Sequence, residues 1–361
     1  MVNQDNDLKI PLVCKIFYII DRILFSRHVR ILMYHGFTDQ YPATGAQTYH
    51  PRHLDIESFS HHLEHLRVHY NIISLSQLVN YCHAKTGIPS NAVILTFDDG
   101  YASNYKLAFP VLKRLRIPAT IFVTTEFVDN KQFHISDRIE YAIGQTRSSA
   151  FEWTLMGKRL SFDISTDAAR ETAIDDITQQ LTQLPADNRS DIVATLEDTL
   201  NVKLMLGPST PEIYLPLDWT QCKEMILTGL ITIGSHSHSH PVISCCDAKS
   251  VAREVALSKS IITENTGFCC DLFCYPYGGN SQFNLQSKDI LRKSGFVAAV
   301  TTIKGTNHKR SDLYALTRLG TSNELTLCDF QRLLLISYRV YRDYYKYAYH
   351  NYLKIKRALK Y

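Results

Sequence analysis

Residues 92–100 read Ala92-Val-Ile-Leu-Thr-Phe-Asp98-Asp99-Gly100. An uncharged apolar run that stops at two carboxylates and a glycine has the pattern of a strand buried on both faces, as in a parallel sheet. The chain then turns out of the core at the strand's C-terminal end. Adjacent carboxylates there raise one another's pKa unless a cation stands beside them. Two readings are open from these residues alone. One acid ligates a metal and the other stays free as a base, or the acids and glycine form a strand-to-helix turn, Asp as cap and Gly for the bend.

The flanking sequence alternates short apolar runs with helical periodicity. Arg30-Ile-Leu-Met-Tyr-His35-Gly36 reads as a first core strand ending in a histidine, followed by a loop over 37–54. Ile56, Phe59, Leu63 and Leu66 mark a helix; His61, His62, His65 and His69 on it resemble a metal cluster but mostly take solvent-facing positions, so a polar face is expected. A strand at 71–73 and a helix at 75–84 precede the Asp-Asp strand; a helix around Ala108–Leu115 and a strand at Ala119–Val123 follow it. Residues 126–215 are polar, acid-rich and helical in places, and are expected to be an insertion between core elements. Helices at 219–230, 251–264 and 285–294 then alternate with strands at Ile231–Gly234, Asp271–Tyr275, Phe296–Thr301 and Tyr314–Leu319. This alternation predicts an α/β fold, either a barrel or a doubly wound sheet. In a barrel, chemistry gathers at the C-terminal ends of the strands.

The 361 residues are 45% apolar, enough for a large core, and their formal net charge is only +4. With no zinc-finger spacing or helix-turn-helix pattern, a nucleic-acid partner is not expected. Nine cysteines, including the neighbours Cys245-Cys246 and Cys269-Cys270, show no CxxC framework. Buried free thiols in a reducing compartment are expected. Ile10–Phe25 is interrupted by Lys15, Asp21 and Arg22, so it reads as neither a secretory signal nor a membrane span. Cytoplasmic residence is expected, with contact at the inner membrane surface open through two amphipathic terminal helices. Leu12, Ile16, Ile19, Ile20 and Ile23 line the first, within 1–28. Tyr338, Tyr341, Tyr345, Ala348, Tyr352, Ile355 and Leu359 line the second, within 331–361, with basic residues on its other sides. Either helix serves a membrane interface or packs on its own domain, which is expected to span 29–330, and the second also suits a partner's groove.

Two further stretches fall at strand ends. Gly234-Ser-His236-Ser-His238-Ser-His240-Pro241 sets His236 and His240 four apart, a spacing that converges on one ion if the backbone makes a helical turn, while His238 points away. With one acid of the Asp pair they make a His₂-carboxylate set that leaves a metal position open, the arrangement of a catalytic site. Phe273-Cys-Tyr-Pro276-Tyr277-Gly278-Gly279 is a turn whose free N–H groups can face a developing oxyanion.

Taken in this order, Thr96-Phe-Asp-Asp-Gly100, His236-Ser-x-x-His240 and Tyr275-Pro-Tyr-Gly278 resemble the polysaccharide deacetylases with the NodB-homology domain, carbohydrate esterase family four. The likeness covers roughly residues 29–320. It implies a distorted (β/α)7-type barrel with the insertion as a variable region. It also implies a divalent metal at Asp99, His236 and His240, most often zinc, with cobalt, nickel, iron or manganese as alternatives. Asp98 is then the general base that activates water, and the Tyr277 N–H stabilises the oxyanion. Two departures stand out. Cys274 occupies the place of the arginine that steadies the catalytic Asp, and Arg318, near the end of the last strand, is expected to supply that charge. The C-terminal Leu-x-His of the general acid is missing. In a branch similar to deacetylases acting on poly-N-acetylglucosamine an N-terminal histidine takes that role, so His35 is expected to protonate the leaving amine; a histidine merely packed at the barrel rim is the other reading. The expected activity is removal of an N-acetyl group from an amino sugar of a surface or exopolysaccharide, or of its lipid-linked precursor. O-acetyl esterase or N-deformylase activity, and a catalytically silent glycan-binding role, are the alternatives.

Overall fold

The computed structural model describes residues 12–40, 52–130, 133–182, 184, 186–208, 210–322 and 325–344. Helix α1 (Leu12–Leu24) leads into strand β1 (Arg30–Tyr34), after which β2 (Gly36–Thr38) and β3 (His53–Asp55) pair in parallel as a small separate sheet. α2 (Ile56–His69), β4 (Asn71–Ile72) and α3 (Leu75–His83) precede β5 (Ala92–Phe97). α4 (Phe109–Leu115), β6 (Ala119–Val123) and α5 (Thr125–Asn130) follow. Next come α6 (Ile135–Gln145), β7 (Ala150–Leu155), β8 (Lys158–Asp163), α7 (Asp167–Thr182) and α8 (Ala186–Leu200). The chain continues through α9 (Trp219–Leu227), β9 (Ile231–Ser235), α10 (Ala248–Thr266), β10 (Leu272–Cys274), α11 (Leu285–Lys293), β11 (Ala298–Lys304), β12 (Leu316–Gly320) and α12 (Leu327–Leu334). A further helix covers 336–344.

Seven parallel strands close in the order β1-β12-β11-β10-β9-β6-β5, with β5 returning to β1, so the fold is a (β/α)7-type barrel and not a doubly wound sheet. β5 is the hub. All of it but Ala92 pairs with β1, from Arg30↔Val93 to Tyr34↔Phe97. On its other edge β4 takes the first half and β6 the second. Every residue of β5 is buried because its two faces serve two cores. Val93, Leu95 and Phe97 pack under the outer helices, whereas Ala92 and Ile94 join Ile31, Phe122, Leu272, Cys274, Val300 and Leu316 in the barrel interior. Thr96 on β5 and Arg318 on β12 continue that inward parity toward the C-terminal end.

The segment expected as an insertion contains a hairpin as well as helices. In β7 Phe151, Trp153 and Leu155 alternate with exposed residues, and Met156 and Gly157 both take positive φ, as a two-residue hairpin turn requires. With α6, α7 and α8 the hairpin closes its own apolar cluster around Ile139, Trp153, Ile174, Ile177 and Leu196.

Two expectations are corrected. The α2 histidines are not all on a solvated face: His61 is exposed, but His62 and His65 are 1% and 2% exposed. α12 lies over that side of α2, and the His62 ring stacks flat on Phe330 at 3.6 Å. The thiols are not all buried: no disulfide forms among the described residues, and Cys245 and Cys269 are exposed. Of the second terminal helix, residues 345–361 lie outside the described residues.

Burial pushes both His62 and His65 down to about 3, so the native protein holds them neutral where the unfolded chain protonates them near pH 6.5. Their folded pKa values lie below the unfolded ones, so stability falls as pH drops from 6.5 toward 3. Between pH 6.5 and 5 each is expected to cost up to about 2 kcal/mol. The melting temperature should decline over that range, and His62→Phe should flatten the decline; parallel curves for the two proteins would refute the assignment.

Candidate active site

The carboxylates sit where β5 leaves the barrel. Gly100 N–H donates to the Asp98 carbonyl at 3.0 Å across Asp99, whose φ is 75°. This is the rarer, strained γ-turn, and it turns the two acids in different directions. Gly100 completes the bend at φ 91°, with Val123 3.0 Å from where a Cβ would stand.

Asp98 meets Arg318. The guanidinium grips both carboxylate oxygens, at 2.7 and 2.6 Å, and also donates to the Thr301 carbonyl, to Thr96 Oγ1 and to Cys274 Sγ. All five of its N–H donors are used, and the side chain is fully buried. Burial alone would raise the Asp98 carboxyl. The Arg318 charge and hydrogen bonds, with His236 and His35 behind them, outweigh it and hold the group below the ordinary carboxylate value.

Asp99 meets the histidines. Its Oδ1 lies 3.4 Å from His236 Nε2 and 3.6 Å from His240 Nε2, and the two Nε2 atoms are 3.2 Å apart. Ligands about 2.0–2.1 Å from a tetrahedral zinc stand about 3.3–3.4 Å from one another. The three donor atoms therefore already form one face of such a coordination shell, and their chemistry fits a divalent ion. His236 Nδ1 lies 2.9 Å from the Cys274 carbonyl, which directs Nε2 inward. His238 is turned away, its ring 2.8 Å from Thr125 Oγ1.

Ser237 and His240 both take positive φ, so the histidine loop is strained. Glu254 on α10 holds it: one carboxylate oxygen accepts the N–H groups of His238 and Ser239 at 2.9 Å each, and the other accepts the Ser239 hydroxyl. No local sequence signal marks Glu254, which sits as one acid on an amphipathic helix.

Tyr277 is the centre of a second γ-turn, with φ 62° and a 2.7 Å bond from Gly278 N–H to the Pro276 carbonyl. Its own N–H makes no hydrogen bond among the described residues, and its ring packs 4.9 Å from that of His240. Gly278 is required here, because a Cβ would stand 2.8 Å from Thr302 N. His35 follows β1 half-buried. Burial lowers its pKa, while the charges of Asp99 and Asp98 pull the other way.

The remaining wall comes from residues the sequence did not single out. His134, 7% exposed, packs between Phe127 and His240, where burial lowers its pKa and the Asp99 charge pulls the other way. Arg52 binds Asp137 at 2.8 Å and Glu140 at 3.0 Å, while Tyr101 donates to Asp137 and Tyr214 to Glu140. Burial pushes Glu140 up to about 7. A cleft of about 530 Å³ opens beside His240 and Tyr277, and its far wall is built by Phe133, Arg138, Lys203 and Leu206.

Two substitutions probe this geometry. Arg318→Lys replaces a five-donor fork by a point charge and is expected to lower kcat about a hundredfold with metal content unchanged. Near-normal turnover would show that the fork is dispensable. Glu254→Ala frees the histidine loop and should weaken metal affinity about tenfold in a competitive chelator titration.

Comparison with known proteins bears on this arrangement. A poly-beta-1,6-N-acetyl-D-glucosamine N-deacetylase of Staphylococcus epidermidis is 33% identical over 79 residues, 22% of this chain and 27% of that protein. Its counterpart in Staphylococcus aureus is 39% identical over 59 residues, 16% of this chain and 20% of the relative. The matched segment thus spans about a quarter or less of these relatives. Among solved structures, the deacetylase PplD of Streptococcus pyogenes superposes with a TM-score of 0.56 at 16% identity, covering 85% of this chain and 98% of that one. IcaB from Ammonifex degensii gives 0.55 at 19% identity, covering 86% and 97%. At such identities the superpositions speak to the fold, which is the same barrel. The family profile described as "Polysaccharide deacetylase" matches residues 85–299, more than half of the sequence and the whole stretch from Asp98 to Tyr277, so the chain belongs to the polysaccharide deacetylase family.

Proposed function

We propose that the protein is a divalent-metal-dependent hydrolase that removes the N-acetyl group from an amino sugar of a surface or exopolysaccharide, or of its lipid-linked precursor. The observation that carries this reading is the 3.2–3.6 Å triangle of Asp99, His236 and His240 beside a buried, arginine-held Asp98. Asp99 Oδ1, His236 Nε2 and His240 Nε2 would hold the metal. Zinc fits this donor set best, and cobalt, nickel, iron or manganese suit it as well. When bound, the ion supplies Lewis acidity to the amide carbonyl and acidity to water.

The chain's own residues then divide the proton work. Asp98, kept ionised and aimed by Arg318, takes the proton of the attacking water as its oxygen bonds to the acetyl carbon. A carboxylate so held is a weak base, which suits water already made acidic. The Tyr277 N–H donates to the oxyanion that forms on the carbonyl oxygen. When the C–N bond breaks, His35 in its protonated form, which the Asp99 and Asp98 charges favour against burial, gives the leaving nitrogen its proton, and acetate and the free amine are the products. The free thiols of the described residues support residence in a reducing, cytoplasmic compartment.

The test is acetate release from N-acetylated glucosamine oligomers and from lipid-linked amino sugars. Release should stop with a chelator and return with zinc. Formate release, or acetate release from O-acetylated glycans alone, moves the reaction to deformylase or esterase; binding without any release makes the protein a glycan-binding relative. His35→Ala is expected to lower kcat about a hundredfold or more while leaving metal affinity intact, and normal turnover would sink the acid assignment.

A further inference from the structure

On either side of the barrel sequence, the described residues include an apolar surface that no other described residue covers. α1 turns Phe17, Tyr18, Ile20 and Asp21 inward. Asp21 binds the buried Arg30 at 2.7 Å and accepts the N–H groups of Ile336 and Ser337, which fixes α1 against the helix at 336–344. Phe17 packs on Tyr338 and Tyr341 at 5.4 and 5.5 Å, so the two helices present a joint surface. The outward row of α1 is then Ile16, Ile19 and Ile23, at 63%, 58% and 71% exposure. Leu24 on α1 and Val340, Tyr341 and Tyr344 on the helix at 336–344 are exposed as well. Bare isoleucines at i, i+3 and i+7 are an amphipathic helix with its apolar side in solvent.

Charge decides what covers this surface. Lys15 and Arg22 are exposed on α1 seven residues apart, flanking the isoleucine row. The sequence beyond Tyr344, outside the described residues, carries Lys346, Lys354, Lys356, Arg357 and Lys360 with no acid, and five tyrosines among them. Two copies meeting through this face about a two-fold axis would set the same cations against each other. An apolar row flanked by cations, continued by an aromatic and acid-free basic segment, is the composition of a surface that lies in an anionic lipid interface. Among the described residues no helix is long and apolar enough to cross a membrane.

We infer that α1 and the helix at 336–344 together form a docking surface for anionic membrane, with the isoleucine row entering the acyl boundary and Lys15 and Arg22 at the headgroups. α1 enters β1 at the strand end opposite the carboxylates and contributes no residue to the candidate active site, so the inference stands apart from the catalytic reading. The experiment is co-sedimentation of the full chain with vesicles of phosphatidylglycerol and phosphatidylcholine, against phosphatidylcholine alone, at low and high salt. The expected result is binding to the anionic vesicles that weakens with salt and drops at least about tenfold in the Ile19→Glu, Ile23→Glu double variant. Lys354→Gln, Lys356→Gln, Arg357→Gln, Lys360→Gln in one chain should remove most of the salt-sensitive part. Acetate release from soluble oligomers and the circular dichroism melt should be unchanged in both variants, which separates a failure of docking from a failure of activity or folding. Binding equal in wild type and the double variant, or no binding to either vesicle, overturns the inference. So does a wild-type dimer in analytical ultracentrifugation that the double variant turns into a monomer.

Discussion

One guanidinium holds the catalytic end of the barrel together. Arg318 starts on β12, reaches across the interior past β1, and binds the carboxylate that ends β5; on the way it engages Thr301 of β11 and the Cys274 thiol of β10. A buried ion pair is weak evidence for stability, since desolvation consumes most of its attraction. Its strength here is geometric. Two parallel N–H···O bonds leave Asp98 one orientation, and the satisfied remainder of the fork leaves Arg318 one rotamer. With Asp98 committed to arginine, the adjacent Asp99 is the acid that faces the histidines.

Strain is concentrated where these groups must be aimed. Asp99, Ser237, His240 and Tyr277 all hold positive φ without being glycine, and each such residue costs about 1–3 kcal/mol. The two γ-turns share one effect: they reverse the chain within three residues at a strand end. At Asp99 this turns two neighbouring carboxylates toward different partners, Arg318 and the histidine pair, and at Tyr277 it leaves the N–H without a hydrogen bond among the described residues. The surrounding sheet and the Glu254 clamp stabilise these conformations against relaxation.

The segment between β6 and β9 is joined to the barrel by charge as well as by packing. Arg52, just ahead of β3, enters between Asp137 and Glu140 of α6, and Tyr101, two residues beyond Asp99, donates to Asp137. The same segment places His134 against His240 and supplies the far wall of the cleft. The barrel thus carries Asp98, Asp99 and the histidines, while the inserted segment lines the cleft beside them.

Much of this was legible in the linear chain, because a strand buried on both faces must be a continuous apolar run and a strand end must turn. Ala92–Phe97, the adjacent carboxylates, the i, i+4 histidines and the Pro-Tyr-Gly turn are local patterns; they picked out residues at strand ends, and the family they resemble implied the barrel that the alternation of elements had left open against a doubly wound sheet. The hairpin at 150–163 was equally local, in its alternation of Phe151, Trp153 and Leu155, but was passed over inside a polar segment. His62 and His65 could not be placed from α2 alone, because the face they bury on belongs to α12, more than two hundred residues away. For the same reason only the closed fold brings Arg52 to Asp137, Glu254 to the histidine loop and His134 to Asp99. Hydrophobic periodicity is a property of neighbours in sequence, so the sequence by itself determined the elements and their order. Which distant charges share one low-dielectric site is a property of three-dimensional closure, and that the tertiary structure alone decided.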